Sequence, residues 1–257
     1  METKKEQRER LPLVLFSGGL DSTYQLYKLL QESDCDVLYI DGGQGDDKVN
    51  AEWEARQHIL TYLNKNSPNM IRNQYRTKIS LEYTVNSGIK QFNVGLDTKF
   101  AQPANWLHGA LLVSNAKIHD SLYIAYVAGD QMLAHLSHVE SAWHFLQMFT
   151  KDSEPIPVTF SLKYHKKREI IAKLPPALIT LTWCCELPVK KILDQATLES
   201  KYTPCCQCSA CLNQIEAFTT TEYKTYEGLL DWIKYTDALA LDGSPKVESV
   251  KEEPEKI

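Results

Sequence analysis

The sequence predicts an α/β fold: a doubly wound, mostly parallel sheet, followed by a C-terminal helical element organised by cysteines. Three observations predict it. Leu13 to Phe16 is an unbroken apolar run, as expected of a strand covered on both faces, and it passes through Ser17-Gly18-Gly19-Leu20-Asp21-Ser22 into a helix. A second apolar run, Asp36-Val37-Leu38-Tyr39-Ile40, follows that helix at the spacing of a βαβ unit, and such units are parallel and right-handed. Six of the seven cysteines fall between residues 184 and 211.

The chain has 257 residues, of which 43% are hydrophobic, enough for one sizeable domain with an appendage. The expected division is a disordered lead over 1–10, an α/β domain over 11–180, a metal-binding helical region over 181–242 and a disordered tail over 243–257. A net charge of −5 argues against a large nucleic-acid-binding face. Residues 1–10 lack the apolar core of a secretory signal, and no apolar run approaches the ~20 residues of a membrane span. A soluble, cytoplasmic protein with no membrane partner is therefore expected, and seven cysteines in a reducing compartment are not expected to be disulfides.

Taken in order, the first strand ends in a loop whose glycines can take positive φ and admit a ligand close to the backbone. Asp21 or Ser22 can cap the helix, expected over Thr23–Leu30. Free N–H groups at a helix N-terminus form an anion site, and the usual biological anion is phosphate. The loop lacks the Gly-Lys-Ser/Thr end of a Walker A motif, so transfer of a γ-phosphate is not the natural reading. The second strand ends in Asp41-Gly42-Gly43-Gln44, and ligands of doubly wound sheets sit beyond the carboxyl ends of the strands, which sets this turn beside the loop.

An amphipathic helix is expected over Asp46–Lys65, with Val49, Trp53, Ile59, Leu60 and Leu63 on its apolar side. A weaker strand, Met70 to Ile79, follows. Residues 80–104 read as irregular, and a helix runs from Asn105 to about His119. Ser121 to Gly129 is the clearest strand after the first. Gly129, Asp130 and Gln131 stand at its carboxyl edge and are, by position, the substrate side of the cleft; the alternative for Asp130 is a cap of the next helix, Ala134–Phe149. That helix carries His135 and His138 on one face without an intervening Glu, and both read as surface or core histidines. His165-Lys166-Lys167-Arg168-Glu169 opens a short helix. Its basic residues form either a solvated face or a charge that neutralises phosphate.

Cys205, Cys208 and Cys211 make a Cys-x-x-Cys-x-x-Cys run on a loop entering a helix. Thiolates at that spacing converge on one ion, and Cys184 or Cys185 can complete a tetrahedral four-sulfur shell. A shell closed in this way is structural, and its occupant is zinc or an iron–sulfur cluster. Helices are expected over Leu212–Thr221 and Tyr226–Leu239.

Ser17-Gly18-Gly19-Leu20-Asp21-Ser22 resembles the pyrophosphate-binding loop of the N-type ATP pyrophosphatases, which cleave ATP between its α- and β-phosphates and adenylylate a substrate oxygen. Phe16 to Leu26 as a block resembles their ATP-binding segment, and Asp41, Gly43 and Gln44 keep three positions of an Asp-Tyr-Gly-Gln turn. Thr182-Trp183-Cys184-Cys185 with Cys205, Cys208 and Cys211 is similar to the Thr-Trp-Ser-Cys and Cys-Gly-x-Cys-x-x-Cys segments of the 7-cyano-7-deazaguanine synthase (QueC) family. Lys167-x-Glu169-Ile170 is similar to the helix that precedes that Thr-Trp. The resemblance spans about residues 13 to 218, in the right order.

The resemblance implies an adenine-nucleotide α-hydrolase-like fold. It implies an ATP-dependent ligase that converts 7-carboxy-7-deazaguanine and ammonia, through an acyl-adenylate and an amide, to the nitrile. The nucleotide would lie on Phe16, Ser17, Gly18, Gly19, Leu20, Asp21, Ser22, Thr23, Asp41, Gly43 and Gln44, with Asp21, Ser17 and Lys167 catalytic. Mg²⁺ would accompany ATP, Zn²⁺ would sit on Cys185, Cys205, Cys208 and Cys211, and the protein would be a homodimer. Two features depart from the family. Asp130 to His138 replaces a Tyr-Ser-Gly-Tyr-Pro-Asp-Cys-Arg segment on the substrate side, and the nineteen-residue spacer between Cys185 and Cys205 is long. Three other readings stay open: adenylylation of another acceptor on a protein or nucleic acid, sulfur transfer to RNA using the adjacent thiols, and a zinc-stabilised binding module without catalysis.

Overall fold

The computed structural model describes residues 10–43, 45–79, 82–85, 88–91, 101–150, 154–194 and 199–219. The opening strand β1 (Leu11–Leu15), helix α1 (Leu20–Glu32), strand β2 (Cys35–Asp41), helix α2 (Asp46–Asn66) and strand β3 (Ile71–Lys78) form the first half. A hairpin of β4 (Glu82–Val85) and β5 (Gly88–Gln91) precedes α3 (Ala101–Val113) and β6 (His119–Tyr123). A 3₁₀ turn over Gln131–His135 leads into α4 (Leu136–Gln147) and then β7 (Val158–Thr159). The chain continues through α5 (Lys167–Lys173) and α6 (Pro176–Leu181), a second hairpin of β8 (Val189–Asp194) and β9 (Glu199–Thr203), and α7 (Ser209–Thr219).

Five strands form one sheet in the order β3-β2-β1-β6-β7, with every neighbouring pair parallel. β1 and β2 are buried nearly throughout, as their apolar runs require, because helices cover both faces. Val14, Phe16 and Val37 face one core with residues of α1, α2, α5, α6 and α7. Leu13, Leu15, Leu38 and Ile40 face the other, with residues of α3 and α4. β3 alternates because it is an edge strand. The strand order reverses between β1 and β6, so the crevice beyond their carboxyl ends is where such a sheet binds ligands.

Several elements differ from the sequence expectation. α1 begins at Leu20 with Gly19 as N-cap, so Asp21 lies in its first turn and no side chain caps it. α3 begins before Pro103, because proline is tolerated in a first turn. The strand expected to reach Gly129 ends at Tyr123, and the chain then continues without regular structure into a turn closed by the Asp130 N–H on the Val127 carbonyl (3.0 Å), where Gly129 has φ +104°. β4 and β5 lie in a stretch read as irregular, β7 and α6 are too short to show a period, and the β8–β9 hairpin is interrupted by lysines. The helix expected over Tyr226–Leu239, the tail over 243–257 and nearly all of the lead lie outside the described residues.

At the amino end of the sheet a polar clasp fixes register. His119 Nδ1 accepts the Asn115 N–H (3.1 Å), which leaves Nε2 as the donor to Asp36 Oδ2 (3.1 Å). Asn73 donates to Asp36 from its backbone N–H (2.9 Å) and its amide (3.0 Å). Burial raises the Asp36 carboxyl, but these donors outweigh it and hold the group below its usual range. Among the described residues no helix is long and apolar enough to cross a membrane.

Candidate functional site

A cavity of about 880 Å³ opens at the carboxyl edge of the sheet, at the reversal between β1 and β6. Phe16, Ser17, Gly19, Leu20, Asp21 and Ser22 line it, so the N-terminus of α1 points into it. The loop is built from inside. Ser17 Oγ accepts the Gly19 N–H (3.3 Å) and lies 3.2 Å from Ser22 Oγ. The hydroxyls of Ser22 and Thr23 both donate to the Gly19 carbonyl (3.1 and 2.8 Å). Gly18 has φ +86°, and an added Cβ would stand 2.9 Å from Arg56 Cγ. Only glycine meets both conditions.

Lys167 reaches the loop from α5 and pairs with Asp21 (Nζ–Oδ2 3.2 Å). Its neighbours Lys166 and Arg168 are exposed, so one residue of the basic cluster is functional in placement and the others are surface. Asp21 Oδ1 is buried without a hydrogen-bond partner. Burial raises the Asp21 carboxyl, Lys167 offsets part of that, and the nearby Asp130 adds to it. Burial pulls the Lys167 ammonium down, but Asp21 more than compensates, with Asp130 and Cys184 adding to it, so its pKa lies above the ordinary value. Asp130 Oδ2 also accepts the Val127 N–H (2.7 Å), and Asp130 and Gln131 line the cavity.

The remaining expected residues are placed as follows. Asp41 and Gly43 stand at the end of β2, where Asp41 accepts the Gly43 N–H (3.2 Å) and pairs with Arg76 (3.4 Å). Thr23 and Gly18 lie beneath the loop, and Gly129 is exposed at a turn beside the cavity residues Asp130 and Gln131. Gln44 lies outside the described residues.

The far wall of the cavity includes Gln102, Trp106, Tyr126, Met132 and His135. The rings of Trp106 and Tyr126 are 5.8 Å apart, and the buried Tyr126 hydroxyl has no partner. Gln102 escaped the sequence reading because α3 begins at Ala101 and not at Asn105; Trp106 fell within the expected helix and read as an ordinary apolar position, and His135, read as a surface or core histidine, lines the cavity. Sequence reading also missed a stripe on α2. Lys48, Glu52 and Arg56, four residues apart, lie on one side of the helix. Arg56 donates to the Phe16 carbonyl, and its guanidinium sits over the rings of Phe16, Tyr39 and Trp53 at 4.9, 4.7 and 5.2 Å. Burial pulls that guanidinium down to about 9. The period of four was visible in the sequence, but charge on a long helix reads by default as solvated.

Cys185, Cys205, Cys208 and Cys211 place their sulfur atoms within 4.8 Å of one another. Four cysteines so close can hold a metal ion, and the set is compatible with zinc. Backbone N–H groups point at the sulfurs: Cys205 to Cys185 (3.1 Å), Cys208 to Cys205 (3.4 Å) and Glu186 to Cys208 (3.5 Å). Contact with Cys211 and burial hold the Cys185 thiol far above its ordinary pKa, a proton that a bound cation would displace. Cys206 has φ +59°, a left-handed position within the Cys-x-x-Cys turn. Cys184 instead lines the cavity.

The cysteine element forms part of the cavity wall. The Trp183 N–H donates to the Gly18 carbonyl (2.9 Å), and Trp183 Nε1 donates to the Cys185 carbonyl (3.0 Å). Trp183, Cys184, Glu186, Ala210 and Gln214 all line the cavity. Neither the known family models nor the curated proteins contain a match to this sequence.

Proposed function

We propose that this chain is an ATP-dependent ligase that forms AMP and pyrophosphate, converting 7-carboxy-7-deazaguanine and ammonia to 7-cyano-7-deazaguanine. The observation that carries the reading is that the Ser17–Ser22 loop and the four-cysteine element, drawn from opposite ends of the chain, share one cavity through the Trp183–Gly18 hydrogen bond. No nucleophilic side chain is required. The substrate carboxylate attacks the α-phosphorus, the bond to the bridging oxygen breaks, and pyrophosphate leaves onto the loop. Ammonia then displaces AMP from the acyl-adenylate to give the amide. A second ATP adenylylates the amide oxygen, again releasing pyrophosphate, and loss of AMP together with the amide protons leaves the nitrile.

The protein's part is positioning and charge. The N-terminus of α1 and Lys167 face the phosphates. The buried, unpartnered Asp21 Oδ1, with Asp130 beside it, fits a divalent cation, so Asp21 and Asp130 would hold Mg²⁺, which offsets charge on the leaving pyrophosphate. Zn²⁺ on the four cysteines would be structural, since four thiolates leave no open position. Trp106, backed by the buried ring of Tyr126, offers an aromatic face for a heterocyclic acceptor.

Purified protein supplied with ATP, Mg²⁺, ammonia and 7-carboxy-7-deazaguanine should yield the nitrile by mass spectrometry. Neither amide nor nitrile from metal-replete protein would remove this substrate. A different acceptor is the second reading, favoured by the Asp130–His138 segment, which forms a 3₁₀ turn into α4 on that wall and lacks a Pro-Asp-Cys-Arg run.

A further inference from the structure

Lys48 is buried in the first turn of α2 and lines the cavity. An ammonium there is costly unless carboxylates hold it. Two do, from different elements: Glu52 on α2 (3.8 Å) and Glu186, the residue after Cys185. The next turns of α2 abut the phosphate loop, for the Glu52 carbonyl lies 3.5 Å from where a Gly18 Cβ would stand and Arg56 is closer still. Lys48 therefore lines the same cavity as Lys167, one helical turn from the residues of α2 that touch the loop.

The two carboxylates are not equivalent. The Glu52 side chain is only 13% exposed and accepts the Tyr39 hydroxyl (2.7 Å), which fixes it to β2. The Glu186 side chain is 52% exposed. Lys48 and the neighbouring Arg56 are thus set against Glu52 and Glu186, and of these only Glu186 is free to swing into solvent. An entering polyphosphate can take the place of Glu186 on Lys48 but not that of Glu52.

We propose that Lys48 is a second phosphate-binding cation of the cleft, held in the empty site by Glu186 as a latch that the nucleotide displaces. This rests on the nucleotide reading above. Isothermal titration with ATP and Mg²⁺, alongside melting temperature and metal content, tests it. Lys48→Met should weaken binding at least tenfold with one metal per chain retained, and Lys48→Arg should recover most of that loss. Glu186→Gln should tighten binding severalfold, a gain largely lost in the Lys48→Met background. Unchanged affinity in Lys48→Met, or weaker binding in Glu186→Gln, overturns the assignment while leaving the nucleotide site intact. Failure of the wild-type protein to bind ATP overturns both.

Discussion

At the scale of the residue, the loop is decided by one glycine and one carboxylate. Gly18 is held at φ +86° against Arg56. Gly18→Ala therefore meets backbone strain and a close contact together, and should cost ~1–3 kcal/mol in chemical denaturation. It should also weaken ATP binding at least tenfold, because the Gly18 carbonyl anchors Trp183. Asp21 leaves a buried oxygen unpartnered. Asp21→Ala should lower AMP release at least ~100-fold, the scale of removing a group aimed at developing charge. AMP release at the wild-type rate would show that ATP does not react at this loop. Cys184 and Cys185 illustrate what sequence alone leaves open. They are adjacent after Trp183, and only the path of the backbone puts Cys185 within the four-sulfur cluster and leaves Cys184 lining the cavity beside Cys211.

At the scale of the element, the cysteine knuckle and the polar clasp make separate predictions. If the four cysteines hold an ion, Cys208→Ser should lose bound metal and stability together, since four sulfurs within 4.8 Å of one another are the element's centre; metal retained at one equivalent would refute the ligand set. The clasp predicts a pH dependence. The folded Asp36 carboxyl is held below its unfolded value near ~3.9. Its contribution to stability is thus present above that value and is lost as the pH falls through the lower folded one. Asp36→Asn should cost ~2–4 kcal/mol at neutral pH and flatten the acid limb of the stability profile. Helix α3 is closely seated: a Cβ on Gly109 would stand 2.7 Å from Ile40 Cδ1. Gly109→Val should destabilise by ~1–3 kcal/mol and, by moving Trp106, weaken acceptor binding more than ATP binding.

Across the whole molecule, what the sequence made legible is what burial dictates. β1 and β2 are covered on both faces, so their apolar runs were unmistakable, and the parallel sheet with its loop followed from them. The cysteines were legible because four thiols at that density have few other uses. β7 is two residues long and the β8–β9 hairpin is rich in lysine, so neither carried a pattern. The charged stripe of α2 was hidden by its ordinary appearance, although Lys48, Glu52 and Arg56 join the loop, β2 and the cysteine element. The molecule that results places the Ser17–Ser22 loop, two cleft-lining lysines and the four-cysteine element around one cavity. The proposed function requires that ATP is broken between the α- and β-phosphates. The direct measurement is phosphorus NMR of the nucleotide products formed with acceptor and ammonia present. The account predicts AMP and pyrophosphate in equal amounts; ADP and inorganic phosphate would contradict it.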